Sequence, residues 1–327
     1  MKAYMVDAHM MKSYDFSVEK GIMEPAGVEY LMSDCQSEDD IIAKCADADA
    51  LTVVYCHVGE KTMKALKNLK VIVRYGIGYD NFDVDAATAA GVKVCNIPHY
   101  SVPEVATHTT AMILASTRHL PFYDRSVHAA QWRSDKFAQL ETRRPDSQWV
   151  GLVGFGEIGR AVAGQLLAIG YHVMAYDPYL EDAAFEKRGV KRVQLDELLA
   201  KSDIISAHTP LNAETRHLLN AAAFAAMKDG VVVVNTARGG VVEEPALVAA
   251  VKSGKVAAAA LDVMENEPMT NPDNPILALE NVILTPHVAY RSRESTHALQ
   301  LGVAEAVVQV LGGKVPGNVV NKAALGL

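Results

Sequence analysis

Three apolar runs late in the chain each lead into a side chain that can do chemistry. Arg238 follows VVVVNTA, Asp262, Glu265 and Glu267 follow AAAAL, and His287 follows VILTP. A guanidinium can fork onto a carboxylate and polarise a neighbouring carbonyl oxygen. An imidazole can hand a proton to a nascent alkoxide near neutral pH. A carboxylate beside the imidazole favours its charged form and fixes its orientation. Cation, acid and imidazole together suit hydride transfer to the carbonyl of a 2-keto acid. A site for the hydride carrier lies earlier in the chain. Gly154, Gly156 and Gly159 form G-x-G-x-x-G between the strand-like run ending at Val153 and a helix-like stretch, and Asp177 closes the next apolar run, HVMAY. Strand, glycine turn, helix, strand and acid are the layout of a dinucleotide-binding unit. Gly154 permits the tight turn, Gly156 lets backbone approach a pyrophosphate, and Gly159 lets helix and strand pack closely. The helix N-terminus offers free N–H groups to the phosphates. A carboxylate at Asp177 accepts hydrogen bonds from a ribose 2′-OH and repels a 2′-phosphate, which predicts NAD rather than NADP.

For these side chains to meet, the runs must be parallel strands of one sheet, because ligands of open α/β sheets sit beyond the carboxyl ends of the strands. The pattern supplies them. DIISAHTP (203–210), VVVVNTARGG (231–240), AAAALDV (257–263) and NVILTPH (281–287) read as strands separated by helical stretches. Ahead of the glycine turn, AYMV (3–6), VEYLM (28–32), ALTVVYC (50–56), VIVRYG (71–76) and VKVCNIP (92–98) also read as strands, with helical spacing between the later ones. Such alternation predicts a second parallel sheet with helices on both faces. Residues 103–120 begin with proline and are apolar nearly all round, as in a buried helix running between two domains. Residues 291–311 read as a long helix that packs back on the first domain.

Composition narrows the partners. The chain has 327 residues, 50% hydrophobic and 21% charged, with a net charge of −8, which suits two soluble globular domains. Basic residues are scattered, as in Lys61, Lys64, Lys67 and Lys70 on one expected solvated helix, so nucleic acid is not the expected partner. No apolar run is long enough to span a membrane, and MKAYMVDAH reads as neither a signal nor a transit peptide. The four cysteines, Cys35, Cys45, Cys56 and Cys95, match no zinc or C-x-x-C spacing. No metal is expected, and plain buried thiols point to a cytoplasmic protein.

Several motifs in order resemble those of the D-2-hydroxyacid dehydrogenases: RYGIGYDNFDVDAA (74–87), CNIPHYSVPEVATHT (95–109), VGFGEIGR, YDP (176–178), HTPLNAETRHLLN (208–220), VNTARGGVVEE (234–244), ALDVMENEP (260–268) and TPH (285–287). The resemblance implies an α/β architecture of two doubly wound parallel-sheet domains. A flavodoxin-like substrate domain comprises residues 1–101 and 290–327, and an inserted Rossmann NAD domain comprises residues 102–289. It implies catalysis by Arg238, Glu267 and His287, although Glu265 and Asp262 are rival carboxylates on position alone. Backbone amides at Ile77 and Gly78 would hold the substrate carboxylate, with the N-terminal domain closing over the substrate. Glu157 and Ile158 would contact the pyrophosphate. Thr209, Thr236, Ala237 and Asp262 would line the nucleotide site, and Thr109 would lie near its nicotinamide end. His208 reads as a structural group, and Tyr100 either faces substrate or packs in the wall. Tyr290, in HVAYRSRES, departs from the small residue and glycine common after T-P-H and is similar to the subgroup that includes the C-terminal binding proteins. It narrows the pocket toward a compact keto acid or one with an apolar or aromatic tail. The family also implies a homodimer. Two functions stay open: an NAD-dependent 2-keto acid reductase, and an NAD-sensing binding protein of the co-repressor type. Among substrates, 3-phosphoglycerate is an alternative that the chain's end near residue 327 makes less expected.

Overall fold

A computed structural model describes residues 1–12, 14–132 and 141–327, and the chain divides into two compact units. The first comprises Met1–Tyr100 and Ser292–Leu327, the second Ser101–Arg291.

The first unit holds β1 (Lys2–Met5), α1 (Ser17–Met23), β2 (Glu29–Met32), α2 (Glu38–Lys44), β3 (Ala50–Val53), α3 (Glu60–Ala65), β4 (Val71–Arg74), α4 (Val84–Ala89), β5 (Lys93–Cys95) and, from the end of the chain, α12 (Arg293–Leu311). Its five strands are parallel in the order β2-β1-β3-β4-β5, the flavodoxin-like arrangement. Alternate residues serve opposite faces. Ala3, Met5, Val71 and Val73 pack with Met23 of α1 and with Leu299, Val303 and Val307 of α12. Tyr4, Val6, Leu51, Val53 and Ile72 pack with Ile41, Met63 and Ala87 on the other helices. Beyond α12 the chain returns to β5. Cys95 pairs antiparallel with Val319, and the Val94 amide donates to Asn321 Oδ1 at 3.0 Å.

The expected strands are present, β1 displaced by one residue and the other four shorter. The run ALTVVYC stops being a strand at Val53 because the Asp7 carboxylate takes the amides of Val54 (2.6 Å) and Cys56 (2.8 Å). Helix α3 ends at Ala65, so Lys67 and Lys70 lie beyond it rather than on the single helix expected for all four lysines.

The second unit holds α5 (Val102–Thr117), α6 (Leu120–His128), β6 (Trp149–Val153), α7 (Glu157–Ile169), β7 (His172–Tyr176), α8 (Asp182–Glu186), β8 (Lys191–Arg192), α9 (Leu195–Lys201), β9 (Ile204–Ala207), α10 (Ala221–Ala226), β10 (Val231–Asn235), α11 (Glu244–Lys252), β11 (Val256–Leu261) and β12 (Val282–Leu284). Seven parallel strands run in the order β12-β11-β10-β9-β6-β7-β8, so the order reverses between β6 and β9. Helix α5 packs on α7, β10 and β11. Strand β8 is an addition to the sequence reading. Two charged residues carry no apolar run by which to see it.

Candidate active site

The expected residues fall at the carboxyl ends of the second unit's strands. Gly154 follows β6, Asp177 follows β7, Thr209 follows β9, Thr236 to Arg238 follow β10, Asp262 follows β11 and His287 follows β12. A cavity of about 610 Å³ in the same unit lies at the amino ends instead, lined by Ser116, Arg143, Asp203, Lys228, Val231 and Ile283. It is remote from the chemistry-bearing edge.

The glycine turn has the form that a nucleotide needs. Gly154 has φ +97, and a β-carbon on it would fall 2.7 Å from the His208 carbonyl oxygen. A β-carbon on Gly159 would fall 2.7 Å from the Gly154 carbonyl oxygen, whereas one on Gly156 would meet nothing within 4 Å. Two glycines therefore serve close packing, and the third keeps open space at the N-terminus of α7, where Glu157 and Ile158 begin the helix. Asp177 accepts from the amides of Phe155 (2.9 Å) and Tyr179 (3.0 Å). Its carboxylate is thus fixed to the glycine turn and keeps acceptor capacity for hydroxyls. Thr209 Oγ1 is buried and has no hydrogen-bond partner among the described residues. Such an orphan beside an open glycine turn fits a bound dinucleotide.

On the adjacent strands, His287 Nδ1 lies 2.6 Å from Glu267 Oε2, with side-chain exposures of 29% and 24%. The pair is shielded but within reach of a substrate. Burial pushes the Glu267 carboxyl up. The hydrogen bond and charge of His287, the Met264 amide and the charge of Arg238 outweigh it, and the carboxyl sits below its ordinary value. The rival acids are engaged elsewhere. Glu265 bonds His217 Nε2 and accepts from the Glu244 amide. Asp262, 1% exposed, accepts from Thr285 Oγ1 (2.5 Å), the Val288 amide (2.9 Å) and the Ala289 amide (2.9 Å). These donors straddle His287, which has φ +53 and donates its own amide to the Asp262 carbonyl. A left-handed histidine costs on the order of 1–3 kcal/mol and persists only where its surroundings impose it. Asp262 imposes it.

Arg238 is half-buried, its Nη1 2.9 Å from the Ala237 carbonyl oxygen and its own carbonyl bonded by Asn235 Nδ2 at 2.8 Å. Sequence reasoning missed Gly239. A β-carbon there would fall 1.9 Å from the Met264 carbonyl oxygen. The glycine after Arg238 lets the Asp262–Glu267 loop lie against the arginine's own loop. Thr109 has no exposed surface, and its hydroxyl bonds the Val105 carbonyl and Thr236 Oγ1, each at 2.7 Å. The Tyr290 ring stands edge-on to His287, centroids 6.5 Å apart. His208 bonds Ser206, and burial lowers its pKa to about 4, so it is a neutral structural group. In the first unit, Ile77 and Gly78 follow β4 and are half-buried, and Tyr100 packs against the core that α12 completes. Among the described residues no cluster could hold a metal ion, and no helix is long and apolar enough to cross a membrane.

Residues 110–289 match the sequence profile of the D-isomer specific 2-hydroxyacid dehydrogenase NAD binding domain. The chain is 42% identical over 300 residues to the D-3-phosphoglycerate dehydrogenase of Archaeoglobus fulgidus, covering 91% of this chain and 56% of that protein. It thus spans about half the length of the phosphoglycerate dehydrogenases that it matches. It is 34% identical over 327 residues to the hydroxypyruvate reductase of Blautia hydrogenotrophica, covering 98% of this chain and all of that protein. Among solved structures, D-lactate dehydrogenase from Aquifex aeolicus, complexed with NAD and lactic acid, superposes with a TM-score of 0.86 at 29% identity, covering 98% of this chain and 99% of that one. With the glycine turn, Asp177 and the His287–Glu267 pair on the same strand ends, the chain belongs to the D-isomer specific 2-hydroxyacid dehydrogenase family, and its second unit is that family's NAD-binding domain.

Proposed function

We propose that the chain is an NAD-dependent 2-keto acid reductase. The observation that carries this reading is the His287–Glu267 hydrogen bond at the carboxyl edge of the nucleotide-binding sheet. NADH, bound along Gly154–Gly159, Asp177, Thr209, Thr236 and Ala237, supplies the hydride. Glu157 and Ile158 at the α7 N-terminus face its phosphates, and Thr109 and Asp262 hold the loops beneath. Arg238 binds the substrate carboxylate and polarises the keto oxygen. His287 donates a proton to that oxygen as it gains charge, and Glu267 stabilises the imidazolium that precedes the transfer. In the first unit, the amides of Ile77 and Gly78 bind a carboxylate.

A compact substrate fits the Tyr290 ring beside His287. Hydroxypyruvate is the first candidate, supported by the full-length likeness to the Blautia reductase. The 42% identity to the Archaeoglobus protein favours a second reading, 3-phosphoglycerate. The test is NADH oxidation with glyoxylate, hydroxypyruvate, pyruvate, phenylpyruvate, oxaloacetate and 3-phosphohydroxypyruvate. His287→Ala is expected to lower kcat/KM by about 10²–10⁴ on the best of them. Near-parental turnover by that variant would overturn the proton-donor role. Tight NADH binding with no turnover on any acid would favour a nucleotide-sensing protein. We further propose a homodimer through the second unit, supported by exposed Leu120, Val127 and Trp132 on and just after α6. A reducing, cytoplasmic setting is supported by four free, buried cysteines.

A further inference from the structure

Three consecutive peptide groups after β4 have their carbonyls held, the first by Arg74 at the end of β4 and the next two by the segment that follows β5. Arg74 Nη1 donates to the Tyr75 carbonyl. The Ile97 amide donates to the Gly76 carbonyl at 2.9 Å. Asn96 Nδ2 donates to the Ile77 carbonyl at 2.7 Å. In a trans peptide the C=O and the N–H point opposite ways. Fixing these three carbonyls therefore turns the N–H groups of Gly76, Ile77 and Gly78 away from their own scaffold. Successive amides turned outward are the means by which backbone binds an anion. Of the three donors, only Asn96 is a side chain on the peptide shared by Ile77 and Gly78.

Asn96 is itself clamped. Its exposure is 9%. Its amide donates to the Asn318 carbonyl at 3.4 Å, and Asn318 Nδ2 donates to the Asn96 carbonyl at 2.6 Å. Asn318 lies in the segment that returns to β5 beyond α12, next to Val319, which pairs with Cys95. A buried carboxamide held at both backbone ends donates along one direction, toward Ile77.

We propose that Asn96 is a positioning residue for carboxylate recognition, setting the Gly78 amide by holding the Ile77 carbonyl, with Asn318 as its support. This rests on the reading that the Ile77–Gly78 loop binds a substrate carboxylate. Without the Asn96 donor, the Ile77–Gly78 peptide is free to rotate. The Gly78 N–H then spends time away from the anion, while nothing in the nucleotide-binding unit changes. Asn96→Asp sets an acceptor against an acceptor and disfavours the observed orientation more strongly than Asn96→Ala.

The test uses the NADH-loaded full chain and oxamate, an unreactive 2-keto acid analogue. In the parent protein, amide resonances of selectively ¹⁵N-labelled Ile77 and Gly78 are expected to shift on oxamate addition. Asn96→Ala is expected to weaken oxamate binding and raise the keto acid KM at least tenfold. NADH affinity should stay within twofold and the Gly78 shift should be lost. Asn318→Ala should give the same pattern at about threefold, and it serves if Asn96→Ala does not fold. Oxamate binding within twofold of the parent in both variants would overturn the positioning role alone. Oxamate that binds the parent without moving the Ile77 or Gly78 amides would overturn the underlying reading of the loop.

Discussion

His208 shows how one side chain can serve a site without entering the chemistry. Its carbonyl lies against Gly154, its β-carbon lies near the position a Gly159 β-carbon would take, and its ring bonds Ser206. Burial keeps the ring neutral down to about pH 4. The unfolded chain protonates this histidine near pH 6.5, so between pH 6.5 and 4 it binds a proton that the folded chain refuses. The contribution to stability is complete above pH 6.5 and is lost as pH falls toward 4, at up to about 3 kcal/mol. Urea unfolding of the parent and His208→Gln at pH 7.5 and 5 checks this. The drop in stability on acidification should be smaller in the variant, and equal drops would refute it. The roles of Asp262 and Glu267 separate at this scale too. Both are acids soon after β11, and their letters do not tell them apart. Only the partners do: three donors around His287 for one, the imidazole for the other.

Among elements, the approach of two loops decides whether the chemical groups meet. Gly239 has no side chain because the Met264 carbonyl occupies that space. Gly239→Ala forces the Asp262–Glu267 loop to retreat by more than 1 Å, and a misplacement of that size can cost about 10² in rate. The expected outcome is a fall in kcat/KM near that figure, with NADH affinity affected far less. Parent-like kcat/KM would show that the loop contact is dispensable. Strands built on unbroken apolar runs, such as β10 and β11, were legible because both faces of a parallel sheet are covered. Strand β8 was not, since two charged residues lack a period. The carboxyl end of β3 falls earlier than the sequence suggests because Asp7, far away in sequence, takes the amides of Val54 and Cys56. Strand identity is local, whereas strand length and loop contact depend on distant partners. For that reason Arg238, His287 and the glycine turn could be read from the chain, and Asn96, Gly239 and the work of Asp262 could not.

At the scale of the molecule, exposed apolar side chains on and just after α6 bear on assembly. Leu120 is 55% exposed and Trp132 75%. If that surface joins two copies, sedimentation equilibrium at micromolar concentration should give a dimer, and Trp132→Asp should shift it to monomer. A monomeric parent chain would remove the proposal. The path of the chain has a different outcome. The second unit is one continuous stretch, but the first is completed only by residues 292–327, whose α12 covers one face of its five-stranded sheet. Domains fold as units as they emerge from the ribosome. Strands β1 to β5 therefore wait, with the face carrying Met5, Val71 and Val73 covered only in part, by α1, while all of residues 101–291 are made. A ribosome-arrested chain ending at residue 291 should resist protease in its second unit and be cut in its first. The first unit, begun before the second, is finished after it, and during that delay its half-covered sheet exposes apolar surface of the kind that chaperones bind.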